Sequence, residues 1–205
     1  MLIIGVAGGT GSGKTTLVQK VMANFPQGSI GLIAQDAYYN DNSALSFEER
    51  CTINYDHPSA IDFELLTSHL KTLKNGQGIA QPVYDFKTHN RVDQTQWTMP
   101  TKVLIVEGIL IFSQLELRSI MDVKVFVEAP DDQRLIRRMG RDLTERGRDL
   151  DEVLARYQDT LKPMHDQFIA PSKKHADLVI PTHRPNSRAI DLLTSFIAQE
   201  LNQSK

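Results

Sequence analysis

The stretch from Gly8 to Thr15, which reads GGTGSGKT, constrains this chain more than any other feature. It follows a short apolar run from Leu2 to Ala7 and precedes a helical pattern that starts at Lys14. This order of strand, glycine-rich loop and helix is the context in which the full P-loop spacing binds a nucleotide. The backbone N–H groups of such a loop surround phosphate oxygens, and the N-terminal end of the helix favours negative charge. The stretch therefore predicts a nucleotide-binding site.

Composition and charge narrow the class of protein further. The chain has 205 residues, of which 40% are hydrophobic and 23% charged, as in an ordinary globular protein. A net charge of -2 gives no support to general nucleic-acid binding. Cys51 is the single cysteine, which excludes a disulfide framework and favours a reducing compartment. No basic region precedes the first strand and no apolar run is long enough to span a bilayer, so we expect a cytoplasmic location and no membrane partner.

Strands, loops and helices alternate along the chain, which predicts a doubly wound α/β fold, a parallel sheet with helices on both faces. Pro163 is expected to end or kink the helix that contains it. We expect one P-loop domain over residues 1–205, with a small projecting β-hairpin at about 79–99. Strands are expected at 2–7, 29–34, 103–107, 123–127 and 177–180, and helices at 14–24, 46–50, 63–75, 131–145, 149–168 and 187–201.

Two carboxylates follow predicted strands, where ligand groups gather in open α/β sheets. Asp36 follows the strand at 29–34 and is a candidate to accept the proton of an attacking hydroxyl or to hold Mg²⁺ through water. The alternative for Asp36 is a cap of a turn or helix. Glu107 ends the apolar run from Val103 to Val106 and resembles the acidic end of a Walker B strand. Because a buried isolated carboxylate is costly, Glu107 is expected either to support a metal ion or to form an ordinary salt bridge.

Arginines are concentrated between residues 134 and 148. Those at 134, 137, 138 and 141 are spaced to share a helix face, and those at 146 and 148 follow. Arginines that close over a transferring phosphoryl group stabilise its charge, so we expect a mobile helical lid at about 131–149. The alternative is a solvated charged face, in which neighbouring acidic residues pair with these arginines.

An aromatic and polar stretch runs from Pro82 to Arg91 and includes Tyr84, Phe86 and His89. Together with the pair Tyr55-Asp56 it offers flat faces beside hydrogen-bonding groups, which suits a nucleobase with its ribose attached. On the residues alone, the better interpretation is hairpin packing with a polar turn.

These stretches resemble the uridine–cytidine kinase family over nearly the whole chain. The run PVYDF followed by His and Arg, with ERGRD downstream, is specific to that family and its near relatives. The matching segments are GGTGSGKT at 8–15, QDAYY at 35–39, NYDHP at 54–58, PVYDFKTHNR at 82–91, VEGIL at 106–110, RRMGRDLTERGRDL at 137–150 and KPMHDQFIAPSKKHADLVIP at 162–181. The resemblance implies transfer of the γ-phosphoryl group of ATP or GTP to the 5′-hydroxyl of uridine or cytidine, with Mg²⁺ as cofactor, and a homotetramer.

The resemblance also implies a role for each matching residue. Asp36 corresponds to the catalytic base, which Lys14 and Arg141 assist, and the groups around Mg²⁺ are Thr15, Asp36 and Glu107. The residues implied to hold the donor phosphates are Gly8, Gly9, Thr10, Gly11, Ser12, Gly13, Lys14 and Thr15. The residues implied to bind the acceptor are Tyr39, Tyr55, Asp56, Tyr84, Phe86, His89, Arg138, Arg148 and Arg156.

Two features depart from the family pattern, and other functions stay open. Arg156 stands where a glutamine is common, which leaves the sugar contact open, and residues 183–186 replace a shorter glycine-containing turn. The alternatives are a kinase for pantothenate or a phosphorylated pentose, a nucleotide switch or motor ATPase, and an inactive nucleotide-binding regulator. A GTPase switch would need a guanine-binding Asn-Lys-x-Asp segment, and a transporter-type ATPase would need a Leu-Ser-Gly-Gly-Gln signature. The sequence contains neither motif. The presence of Lys14, Asp36 and Glu107 disfavours the regulator.

Overall fold

The strands form two separate sheets. A five-stranded parallel sheet has the order β2-β5-β1-β6-β7, and β3 and β4 form an antiparallel hairpin. The computed structural model describes residues 1–144, 149–184 and 186–202. The strands are β1 (Leu2–Ala7), β2 (Ile30–Ala34), β3 (Ile79–Asp85), β4 (Asn90–Thr98), β5 (Val103–Gly108), β6 (Val123–Glu128) and β7 (Leu178–Pro181).

Helices cover both faces of the large sheet, because successive residues of each central strand point to opposite faces. Ile3 and Leu104 pack in one buried cluster with α3 and α4, whereas Ile4 and Ile105 pack in a second cluster with α1 and α8. The prediction of a doubly wound α/β sheet is thereby confirmed. The helices are α1 (Lys14–Met22), α2 (Phe47–Cys51), α3 (Phe63–Lys74), α4 (Leu115–Ile120), α5 (Asp131–Thr144), α6 (Leu150–Arg156), α7 (Lys162–Met164) and α8 (Ser187–Asn202). None of these helices is both long and apolar enough to cross a bilayer.

The hairpin is closed by a tight polar turn. Asp85 pairs with Asn90 across the two strands, and its carboxylate accepts hydrogen bonds from the Lys87 backbone N–H and the Thr88 hydroxyl, both at 2.9 Å. Such a side-chain turn is a common way for aspartate to reverse the chain. His89 follows with a φ of 52°, a left-handed conformation that non-glycine residues adopt rarely. The turn therefore fixes the backbone of His89, one of the residues predicted to bind the acceptor substrate.

The helical region after residue 149 differs from the prediction. Helical backbone does not end at Pro163 but continues to His175, through π-helical Tyr157–Leu161, α7, π-helical His165–Ile169 and 3-10-helical Ala170–His175. Pro163 lies in α7, directly after the first π segment. A proline inside an α-helix removes one hydrogen bond and crowds the carbonyl four residues earlier. The wider π turn in front of Pro163 accommodates the ring, so helical backbone continues past the proline.

Candidate active site

The carboxyl ends of β1, β2 and β5 open into a single cleft of about 630 Å³. This is where a parallel sheet of this kind places its ligands. Most of the predicted site residues line the cleft: Thr10, Gly11, Gly13, Lys14, Thr15, Asp36, Tyr39, Tyr55, Asp56, Tyr84, Phe86, His89, Glu107, Arg138, Arg141 and Arg156. One surface thus brings together residues that are up to 146 positions apart in the sequence.

A few predicted residues are placed elsewhere, and a few others were missed. Gly8, Gly9 and Ser12 lie in the loop but not on the wall of the cleft, and Arg148 falls outside the described residues. The lining residues that were not among the predicted site residues include Thr16, Gln19, Ile109 and Arg137. Arg137 belongs to the arginine run and was recognisable there. Gln19 lies one helical turn beyond Thr15 on α1, and helical spacing is the signal that points to it.

The GGTGSGKT loop folds back on itself around the carbonyl of Gly9. That oxygen accepts hydrogen bonds from the Ser12 N–H at 3.1 Å and from Lys14 Nζ at 3.0 Å. Gly13 has a φ of 92° and immediately precedes α1, so the first N–H groups of the helix lie beside the loop. The free donors of a helix N-terminus are a favourable site for phosphate oxygens. The geometry is that of a phosphate-binding loop.

Gly11 is a loop position with a strict requirement for glycine. Its φ is 73°, and a methyl group there would collide with the backbone carbonyl of Arg134 on α5. Gly11→Ala is therefore expected to lower the free energy of unfolding by about 1–3 kcal/mol. Gly140→Ala is the matched control, since Gly140 lies in α5 with open space around it and should gain about 0.5–1 kcal/mol. Urea unfolding of both variants measures these changes in the free energy of unfolding. A Gly11→Ala variant as stable as wild type would contradict the prediction.

Lys14 is half-buried between charges of both signs. Burial lowers its pKa to about 8, while the carboxylates of Asp36 and Glu107 act in the opposite direction. Arg141 and Arg134 lower the pKa of Lys14 further. Without a ligand, the ammonium is thus poorly compensated, and a phosphate group beside it would favour its charged form. The surroundings of Lys14 therefore favour the binding of an anion.

This pKa predicts how donor binding depends on pH. Below about pH 8 Lys14 of the ligand-free protein is charged, and above that pH it loses its proton and its attraction for phosphate. The Kd of a non-hydrolysable ATP analogue is therefore expected to rise between pH 8 and 9.5, by up to about tenfold per pH unit. Calorimetric titration measures the trend, and Lys14→Arg is the control because arginine keeps its charge. A wild-type Kd that stays constant over this range would contradict the prediction.

Thr15 and Glu107 form a pair suited to a hard cation. The Thr15 hydroxyl donates to Glu107 Oε1 at 3.2 Å, while Glu107 Oε2 is buried without a hydrogen-bond partner among the described residues. Burial raises the pKa of Glu107, and Lys14 and the Thr15 hydroxyl oppose that rise. An unpartnered buried carboxylate oxygen is costly unless something binds it. The described residues contain no cluster of three or more His, Cys, Asp or Glu, so a metal here would rely on water and phosphate for its remaining ligands.

Asp36 is held at the edge of the cleft by a short 3-10 turn, Gln35–Tyr38, that follows β2. The neighbouring Gln35 is fully buried, and its Oε1 accepts the N–H of Leu110 at 2.7 Å. This bond ties the turn to the chain that leaves β5, which carries Glu107. Both carboxylates line the same cleft.

The opposite end of the cleft is aromatic. Tyr39 packs against Tyr55 and Tyr84, with ring centroids 5.2 Å and 4.8 Å apart, and His89 stacks on Tyr55 at 5.4 Å. Asp56 is buried beside them, and this burial raises its pKa, while Arg138 and Arg156 act against the rise. Flat rings beside a buried carboxylate suit a planar ligand that carries hydroxyl groups.

Helix α5 is attached to the phosphate loop by its arginines. Arg138 donates to the Thr10 hydroxyl at 2.8 Å and pairs with buried Asp142 at 3.1 Å. Arg137 donates to the carbonyl of Thr182 at 2.8 Å, at the end of β7. Arg134 and Arg138 are buried, so the interpretation of the run as a solvated charged face is wrong for these two. The arginines instead place positive charge around the cleft, where five basic side chains accompany three acidic ones.

The chain is similar to kinases of known family over almost its full length. The model of the phosphoribulokinase / uridine kinase family matches residues 3–189. The uridine kinase of Halalkalibacterium halodurans is 52% identical over 196 residues, which cover 96% of this chain and 93% of that protein. The uridine kinase of Clostridium novyi is 47% identical over 204 residues, which cover 100% and 98%.

A solved structure supports the same fold. The phosphoribulokinase of Rhodobacter spheroides superposes with a TM-score of 0.66 at 16% identity, and the match covers 88% of this chain and 69% of that one. A sequence match of this extent, on a cleft built from a phosphate loop and two strand-end carboxylates, identifies a phosphotransferase. The chain belongs to the phosphoribulokinase / uridine kinase family.

Proposed function

We propose that the protein is a nucleoside kinase that transfers the γ-phosphoryl group of ATP or GTP to the 5′-hydroxyl of uridine or cytidine, giving UMP or CMP. The observation that carries this proposal is the arrangement of the cleft. Its phosphate end contains Lys14 and Thr15, its aromatic end contains Tyr55 and Tyr84, and Asp36 lines the same cleft. The names of the relatives at 47–52% identity support the choice of uridine.

In the proposed reaction the acceptor oxygen forms a bond to the γ-phosphorus as the bond to the β,γ-bridging oxygen breaks. Asp36 accepts the proton of the 5′-hydroxyl, and the loop amides with Lys14 hold the phosphates in line. Arg138 and Arg141 face the cleft and offset the charge that spreads over the transferring group. We propose that α5 acts as a lid, which excludes the water that would otherwise hydrolyse the donor. Arg148, which lies outside the described residues, is proposed to join it.

Mg²⁺ fits the pair formed by Thr15 and Glu107. The hydroxyl of Thr15 would bind the ion directly, and Glu107 and Asp36 would hold it through water, which gives the unpartnered Glu107 Oε2 a role. When bound, the ion neutralises charge on the β- and γ-phosphates.

The acceptor end is proposed to recognise the nucleoside by shape and by paired polar groups. Asp56 would accept the ribose hydroxyls, with Arg156 beside it, and Tyr84 and His89 would contact the pyrimidine edge. Tyr39, Tyr55 and Phe86 would form the aromatic walls. The cytoplasmic location and the homotetramer stay predictions, and size-exclusion chromatography with light scattering measures the second.

The experiment that tests this function is coupled measurement of ADP release from ATP and Mg²⁺ with single acceptors. Uridine, cytidine, adenosine, thymidine, ribulose 5-phosphate and pantothenate are offered separately. We expect release with uridine or cytidine only. Release with ribulose 5-phosphate or pantothenate would keep the phosphate-loop roles and overturn those of Tyr84 and His89. A rate of ADP release that is the same with every acceptor and without any acceptor would favour an ATPase.

A further inference from the structure

Arg91 connects three parts of the site without lining the cleft itself. It lies on β4, and its side chain is only 15% exposed. Its Nε donates to the carbonyl of Tyr39 at 2.6 Å. One terminal nitrogen reaches the carbonyl of Tyr38 at 3.4 Å and the carboxylate of Asp62 at 3.1 Å. The hairpin, the turn after β2 and the start of α3 therefore meet at one guanidinium.

The carbonyls that Arg91 binds lie at the end of the turn that carries Asp36. The last carbonyls of a short helix lack partners within it, and a cation there is favourable. On its other side the turn is attached by main-chain bonds, since Asp62 N–H donates to the Tyr38 carbonyl at 2.8 Å and Asn40 N–H donates to the Ala60 carbonyl at 2.9 Å. Asp62 also caps α3 by accepting the Leu65 N–H at 2.9 Å. The turn is thus fixed from two directions, and Arg91 supplies the side that faces the hairpin.

The hairpin has no strand pairing with the large sheet among the described residues, so side chains must set its position. It carries Tyr84 and His89, whereas the large sheet carries the phosphate loop. A displacement of about 1 Å between reacting groups can cost about a hundredfold in rate. A group that joins the hairpin and the turn therefore influences the distance on which the reaction depends.

We propose that Arg91 is a positioning residue, which holds Asp36 in register with the acceptor-binding hairpin through the carbonyls of Tyr38 and Tyr39. This inference rests on the proposed role of Asp36. The planar fork of arginine is required, because a lysine at 91 keeps the charge but cannot reach two carbonyls and a carboxylate together. The effect is on the chemical step, since Arg91 touches neither the phosphate loop nor the cleft surface.

The test is a double-mutant cycle between Arg91→Lys and Asp36→Asn, read as kcat at saturating donor and acceptor. In the wild-type background Arg91→Lys is expected to lower kcat about 10- to 100-fold, while the Kd of an ATP analogue changes less than about twofold. In the Asp36→Asn background, Arg91→Lys should lower the remaining kcat by less than about twofold. Arg118→Lys is the control, since Arg118 also donates to a backbone carbonyl, that of Phe112, which is not part of the turn.

A second measurement needs no substrate and separates this inference from the proposed function. Hydrogen exchange of residues 35–39 in the ligand-free protein is expected to be faster in Arg91→Lys than in wild type and unchanged in Arg118→Lys. Equal loss of kcat in both Asp36 backgrounds, or unchanged exchange at 35–39, would overturn the positioning role. Faster exchange in a protein that ignores uridine and cytidine would leave the link between Arg91 and the turn intact and overturn only the choice of acceptor.

Discussion

Asp36→Asn is expected to lower kcat for uridine by about three orders of magnitude and to leave the binding of donor and acceptor nearly unchanged. Asparagine has the same shape but cannot accept the proton of the 5′-hydroxyl. The turn that holds residue 36 is fixed by hydrogen bonds of the Gln35 and Arg91 side chains, and neither of these residues changes. Loss of one carboxylate also removes a group that raises the pKa of Lys14. Donor binding in the variant should therefore weaken at a lower pH than in wild type.

Steady-state kinetics with uridine and calorimetry with an ATP analogue measure the two halves of this prediction. Asp93→Asn is the control, since Asp93 is an exposed carboxylate on β4. Turnover within about threefold of wild type would remove Asp36 from the role of base. A parallel loss of ligand affinity would show instead that residue 36 binds substrate rather than accepting the proton.

Lys14→Met is expected to lower kcat by about two to three orders of magnitude and to stabilise the ligand-free protein. The first effect follows because the ammonium next to the loop is the point charge that holds the transferring phosphate. The second follows from the lowered pKa, about 8 against the usual 10.5. The folded protein binds this proton less tightly than the unfolded chain, so burying the charge costs stability below pH 8. That cost falls as the pH rises from 8 to 10.5.

Chemical unfolding of Lys14→Met and wild type at pH 7 and pH 9.5 measures the stability effect. We expect a gain of about 2 kcal/mol at pH 7 and a smaller gain at pH 9.5. Lys20→Met, an exposed lysine on α1, is the control and should show neither change. A variant less stable than wild type at pH 7 would show that the bond from Lys14 to the Gly9 carbonyl outweighs the cost of burial.

Most of the donor end of the site was predictable from the sequence because its residues are local. The loop from Gly8 to Thr15 is a continuous motif, and Asp36 and Glu107 each end an apolar run that forms a strand. In a parallel sheet, strand ends meet at one edge whatever their separation in the chain. The pattern therefore predicts that the phosphate loop, Asp36 and Glu107 lie together.

The remaining features depend on contacts between elements, which periodicity does not encode. Nothing in the pattern indicated that Arg137 would reach Thr182, or that Arg91 would bind the carbonyls of Tyr38 and Tyr39. The change to π-helical backbone before Pro163 was also missed, because a proline within a helical pattern usually predicts a kink or an end. The partners of long polar side chains depend on how the helices and strands pack, so the sequence pattern alone does not identify them.

The separation of the molecule into two sheets has a consequence for how such a protein changes over evolutionary time. The phosphate loop adjoins the five-stranded sheet, while Tyr84, Phe86 and His89 of the proposed acceptor end lie within a hairpin that has its own hydrogen-bonded ladder. Mutations in residues 79–98 other than Arg91 are therefore expected to change the proposed acceptor end while the phosphate loop stays intact. In related proteins with this arrangement, we expect the phosphate loop to stay constant while the hairpin changes together with the second substrate.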